Sequence, residues 1–92
     1  MTRPMYDRMY AALTAAQKER PKRQAMIGDE PEWVRYERDA MWAEVNAARA
    51  EAGLGPALLT DILRVEQQAV GHSDYTTKYA LYCAELAEGV SR

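Results

Sequence analysis

The sequence predicts an all-α fold: a small bundle of four helices at about residues 4–20, 30–52, 56–70 and 73–88, with the second helix central. Three observations carry this expectation. Apolar side chains recur at helical spacing through each segment. Glycine or proline punctuates the chain between segments. No stretch alternates apolar and polar residues as a half-buried strand would, and no internal repeat is evident.

In the first segment Met5, Met9, Ala12, Leu13 and Ala16 fall on one stripe. Pro4 is tolerated in the first turn, with Thr2 or Arg3 ahead of it at the cap, and Pro21 ends the helix by disfavouring helical geometry in the residue before it. Residues 21–29, PKRQAMIGD, read as a connector. Asp29 with Glu32 three positions on forms a capping box, and Pro31 lies in the permitted first turn of helix two. Helix two runs to about Ala52. There Gly53 suits a left-handed C′ position and Leu54 the hydrophobic contact of a Schellman motif. Pro56 in GLGP starts helix three, which ends at Gly71. His72-Ser73-Asp74 supplies the cap of helix four, which runs to about Ala87 before Gly89. Short connections after helices two and three favour antiparallel or steeply angled neighbours. The longer 21–29 connector leaves helix one the least anchored, and residues 1–28 are free to pack on a second copy of the chain.

Helix two carries two apolar stripes. Trp33, Tyr36, Ala40, Ala43, Ala47 and Ala50 make one, and Val34, Met41, Val45, Ala48 and Ala52 the other, rotated by about 100°. Such a helix sits between two partners. Between the stripes Glu37, Glu44 and Glu51 recur every seven residues. A metal-binding carboxylate bundle would need a Glu-x-x-His pair or ligands on facing helices, but the sole histidine, His72, stands outside such a pair. Glu66 adds at most one carboxylate. Salt bridges to Arg20, Arg64 or the basic connector are expected instead, with no metal and no cofactor.

Trp42 falls beside Arg35, Arg38, Asp39 and Arg49 on the polar side of helix two. A tryptophan among arginines has the composition of an interface hot spot, so Trp42, Arg35, Arg38 and Arg49 form the expected partner-binding surface. The alternative is a rim tryptophan covered by helix one or by the N-terminal arm. On helix four Tyr75, Tyr79, Tyr82, Cys83, Leu86 and Val90 form the expected core stripe, with Leu81 and Ala84 facing the other side. Cys83 is expected to be a small, buried, unreactive hydrophobe.

The bulk numbers narrow the class. Ninety-two residues suit one domain, and 48% hydrophobic with 28% charged residues is ordinary globular usage. No apolar run approaches the roughly 20 residues that span a bilayer, and MTRPMYDRMY has no apolar signal-peptide core. With one cysteine there is no internal disulfide, and a cytoplasmic location is expected. Net charge is −2 but unevenly placed. Residues 1–28 hold Arg3, Arg8, Lys18, Arg20, Lys22 and Arg23 against Asp7 and Glu19, a balance of +4; residues 29–92 carry −6. Such a split marks either a basic interaction arm or a basic segment docked on an acidic body. Abundant Ala and Arg with one Asn and no Phe point to a GC-rich genome.

Tests for chemistry fail. His72, Ser73 and Asp74 are consecutive at a cap and do not converge as a triad does, and no P-loop, G-x-G-x-x-G, H-E-x-x-H or paired-cysteine motif is present. Helices three and four outline a helix-turn-helix, whose reading helix would begin SDYTTK. A nucleic-acid regulator would then use Lys18, Arg20, Lys22, Arg23 and Lys78. The acidic balance of residues 29–92 opposes this, since phosphate neutralisation supplies most non-specific affinity.

The stretches MWAEVNAARAEAGLGP and GHSDYTTKYALYCAELAEG resemble small uncharacterised helical proteins of actinobacteria and their phages, over about half the chain. The resemblance agrees with the GC-rich composition and transfers no functional residue. It implies an accessory protein that binds a host or phage protein in the cytoplasm. The expectation is a non-enzymatic protein–protein interaction module, with a homodimer as one candidate assembly and a nucleic-acid-binding regulator as the alternative.

Overall fold

The computed structural model describes residues 2–90, and among them four helices: α1 Arg3–Glu19, α2 Glu32–Glu51, α3 Leu59–Ala69 and α4 Tyr75–Ala87. They form a small all-α bundle. Helix α2 runs antiparallel to α1, with Arg8 of α1 reaching Glu51 and Arg20, just past its end, reaching Glu37, and the start of α2 meets the end of α3 where Arg38 reaches Glu66. Both α2 and α4 pack against all three other helices, whereas α1 and α3 make little contact with each other. Helix two is therefore central as expected, and α4 shares that position. Among the described residues no helix is long and apolar enough to cross a membrane.

Helix one begins where Thr2 Oγ1 accepts the Met5 N–H at 3.3 Å, with Pro4 in the first turn. Its stripe of Met9, Leu13 and Ala16 is buried against α4 and α2 of its own chain, so it is covered without a second copy. Helix two ends in the expected Schellman motif. Gly53, at φ 74°, donates to Ala50 O, and Leu54 N–H donates to Arg49 O at 2.8 Å. The end of α4 repeats it, with Gly89 at φ 76° and Val90 N–H on Glu85 O.

Three expectations are corrected. The connector is not simply a loop. It folds into an antiparallel hairpin of β1 Met26–Ile27 and β2 Glu30–Pro31, with Gly28 at φ 64° in the first loop position, where type II′ turns place glycine. That hairpin takes Asp29, so the capping box of Asp29 and Glu32 does not form; Pro31 occupies the N-cap and makes no side-chain cap bond. Helix three starts at Leu59 rather than 56. Leu58 N–H donates to Asp61 Oδ2 at 2.8 Å, half of a capping box, because leucine offers no acceptor in return. Asp74 is the N-cap of α4, but its side chain makes no cap bond.

The stripes of α2 are not equal. Glu37, Met41, Val45 and Ala48 are buried, whereas Tyr36, Ala43, Ala47 and Ala50 of the alanine stripe are exposed. A methyl group removes little area from water, so alanine periodicity alone does not decide which face packs. On α4 alanine acts the other way: Ala80, Ala84 and Ala87 are buried with Tyr79 and Cys83, and Val90 lies exposed. Small side chains there allow α1, α2 and α3 to approach one helix from several sides.

Candidate functional site

The face of α2 that carries Trp42 is turned toward the α2–α3 linker and α3. Trp42 is half-buried, and its Nε1 donates to Ala57 O at 2.8 Å. Asn46 completes the tie: its Oδ1 accepts the Ala57 N–H at 2.7 Å. Arg49 donates to Gly55 O and to Leu86 O, both at 2.6 Å, and so joins the linker and the end of α4. Arg38 is largely buried between Glu30 and Glu66. Of the four residues expected to meet a partner, only Arg35 is fully exposed. The other three use their polar atoms within the chain.

The basic segment docks on the start of α2. Arg23 makes a two-pronged pair with Glu32 at 2.8 and 2.9 Å. Arg20 Nη1 donates to the buried Glu37 at 2.9 Å while its guanidinium lies 4.7 Å from the centre of the Trp33 ring. Lys22 Nζ donates to Lys18 O; Lys18 is exposed and Lys78 half-buried on α4. These five positions therefore do not present one basic surface. Arginines also serve the carboxylate ladder: Arg8 holds both Glu44 and Glu51, and that hydrogen bonding keeps the Glu51 carboxyl below its ordinary pKa. Gln17 gives Glu37 a second donor at 3.2 Å. Each rung of the ladder thus faces an arginine: Arg20, an expected partner, at Glu37, and Arg8, which was not among those expected, at Glu44 and Glu51.

The arrangement that sequence reasoning missed is a cleft of about 390 Å3 between the hairpin, the first turns of α2 and the α3–α4 turn. Trp33, Val34, Val70 and Tyr75 give it apolar walls, and Glu30, Arg38 and Glu66 line it with charge. Arg38 binds Glu30 through two bonds, at 2.9 and 2.7 Å, which hold the Glu30 carboxyl below its ordinary pKa. Arg38 also donates twice to Glu66 Oε2, at 3.1 and 2.9 Å. The Glu66 carboxyl is nonetheless pushed up by burial, an effect that Arg38 only partly offsets. Its Oε1 is buried and has no hydrogen-bond partner among the described residues. Val70 on the cleft wall remains exposed, as does Ile27, which is paired in the hairpin with Glu30.

The cleft's lining comes from residues 30–38 and 66–75, so no local pattern announces it. The available signal was Glu66, an acidic residue within the apolar arc of helix three. Nearby on α4, Tyr79 is fully buried, its hydroxyl has no hydrogen-bond partner among the described residues, and burial raises both its pKa and that of the Cys83 thiol. Among the described residues no group of three or more histidine, cysteine or acidic side chains is placed to hold a metal ion. Comparison with family models, with curated proteins and with solved structures finds no match for this chain.

Proposed function

We propose that this chain is a non-enzymatic protein-binding module whose partner docks at the cleft between the hairpin, α2 and the α3–α4 turn. The observation that carries this reading is the apolar concavity of about 390 Å3, with Val70 exposed on its wall and exposed Ile27 paired with its lining residue Glu30. A hollow walled by Trp33, Val34 and Tyr75 suits a protruding side chain, and the exposed neighbours suit the flat contact around it. Groups that chemistry would draw on lie elsewhere or are disabled. Burial keeps the Cys83 thiol protonated, and His72 is exposed in the turn between α3 and α4. The pairing of Arg20 and Arg23 with carboxylates weighs against the nucleic-acid alternative, because those charges are already neutralised. On this reading the resemblance to actinobacterial and phage proteins makes the partner a host or phage protein met in the cytoplasm.

Site-specific photo-cross-linking in cells tests the reading. A reactive residue at Val70 should capture one discrete protein species. The same group at exposed Ala11, on a helix that contributes nothing to the cleft, should not. Silence at Val70, or equal labelling at both positions, would overturn it.

A further inference from the structure

We propose that the cleft receives a primary ammonium on an apolar stem, presented by the partner as a lysine side chain. This rests on the reading of the cleft as the docking surface, and it deepens that reading by naming what enters. The central observation is Glu66. Only 8% of the residue is exposed, one carboxylate oxygen takes both bonds from Arg38, and the other has no donor among the described residues. A buried carboxylate oxygen without a donor carries an unrelieved desolvation cost, which a ligand N–H relieves when the Glu66 side chain turns that oxygen into the cleft it lines.

The sign of the ligand follows from the lining. Glu30 and Glu66 face one Arg38, leaving one negative charge uncompensated. Of the nearby cations, Arg20 is paired with Glu37, and Arg35 acts on Glu30 through space from an exposed position outside the lining, where water screens it. An anion would compete with two carboxylates for Arg38, which already uses four of its five N–H groups on them. A neutral hydroxyl supplies a donor but leaves the charge. An ammonium supplies three donors and the charge together. Trp33, Val34, Val70 and Tyr75 then cover the methylenes, as apolar surface does along a lysine stem. The burial that raises the Glu66 pKa works in the same direction, since an arriving cation restores the charged form.

The test uses n-hexylammonium as a probe against n-hexanol, which shares its stem and lacks its charge. Binding is followed by NMR through the indole N–H of Trp33, with that of Trp42 as an internal control outside the cleft. The ammonium should shift Trp33 and not Trp42, and bind about tenfold tighter than the alcohol. Glu66→Gln should bring the two probes to equal affinity. Val70→Trp, at a 64% exposed rim position, should weaken both by filling the cleft. Equal affinity of the two probes for the unmodified protein would overturn the proposal, as would ammonium binding indifferent to Glu66→Gln or the absence of any Trp33 shift. The failures are separable. Cross-linking at Val70 without ammonium preference sinks the lysine assignment alone, and ammonium binding without cross-linking sinks the docking reading.

Discussion

Trp42 Nε1 lies 2.8 Å from the carbonyl oxygen of Ala57, and this bond fixes the α2–α3 linker against the middle of α2. Asn46 grips the same residue at its amide. Ala57 is thereby buried although it sits in a stretch with no regular structure. The linker's polar backbone is satisfied by two side chains that, on a helical wheel, look as though they face water.

That relationship gives the first prediction. Trp42→Phe keeps most of the packing and loses the bond, at a cost of about 1 kcal/mol. Trp42→Ala also opens a gap beside the core and should cost about 3 kcal/mol. Urea unfolding followed by circular dichroism measures both. An unchanged midpoint for Trp42→Ala would return Trp42 to the role of an exposed contact residue.

Arg20 and Glu37 form a pair with one end in water and the other fully buried, the side chains being 37% and 1% exposed. Arg20→Ala leaves the Glu37 carboxylate with Gln17 as its remaining charge-free donor. The expected loss is about 2 kcal/mol, between the values for exposed and for buried pairs. Double substitution with Glu37→Gln should lose less than the two single changes added together, because they share one interaction.

Two glycines two positions apart, Gly53 and Gly55, should respond oppositely to alanine. Gly53 holds φ 74° in the Schellman motif, so Gly53→Ala strains the backbone by about 1 kcal/mol although no atom stands in the way. Gly55 has no such φ and open space around its Cα. Gly55→Ala should leave stability unchanged or raise it by up to about 1 kcal/mol by restricting the unfolded chain. Thermal melts of the two variants provide the comparison.

Stability should fall at alkaline pH through Cys83 first. Burial raises the native thiol's pKa, whereas the unfolded thiol titrates near about 8.5. Below that pH both states keep the proton and the group contributes no slope. Above it only the unfolded chain releases the proton, so stability declines by up to about 1.4 kcal/mol per pH unit. Tyr79 and Tyr75, also raised by burial, join from about pH 10. Urea melts at pH 7.5, 8.5 and 9.5 should show the decline, and Cys83→Ala should flatten it over that interval whatever its effect on stability at pH 7.5.

Most of the helical frame was legible because its signals are local. Pro4, Gly53 with Leu54, and Gly89 each dictate backbone geometry within a few residues, and the structure uses them. The hairpin was missed because two-residue strands have no alternation to detect; Gly28-Asp29 was the remaining cue. The packed face of α2 was misread where alanine stood for apolar burial and where Trp42 and Arg49 were assigned to the polar side. Both are half-buried, with polar atoms bonded to linker carbonyl groups, which periodicity does not encode. The cleft was invisible for a related reason: residues some thirty positions apart make it, and only the meeting of the start of α2 with the end of α3 brings Arg38 to Glu66.

The two ends of the described chain are held side by side. Thr2 donates from its backbone and its hydroxyl to the two oxygens of Glu88, at 2.7 and 3.1 Å, while Gln17 at the far end of α1 bonds Thr76 at the start of α4. A pulling force applied through both ends would therefore load the Thr2–Glu88 contact first. It would then part α1 from α4 turn by turn, like a zipper, and would not shear the whole interface at once. The fold would be mechanically soft along that axis whatever its equilibrium stability, and a protease or translocation motor drawing on an end would meet its resistance in small instalments.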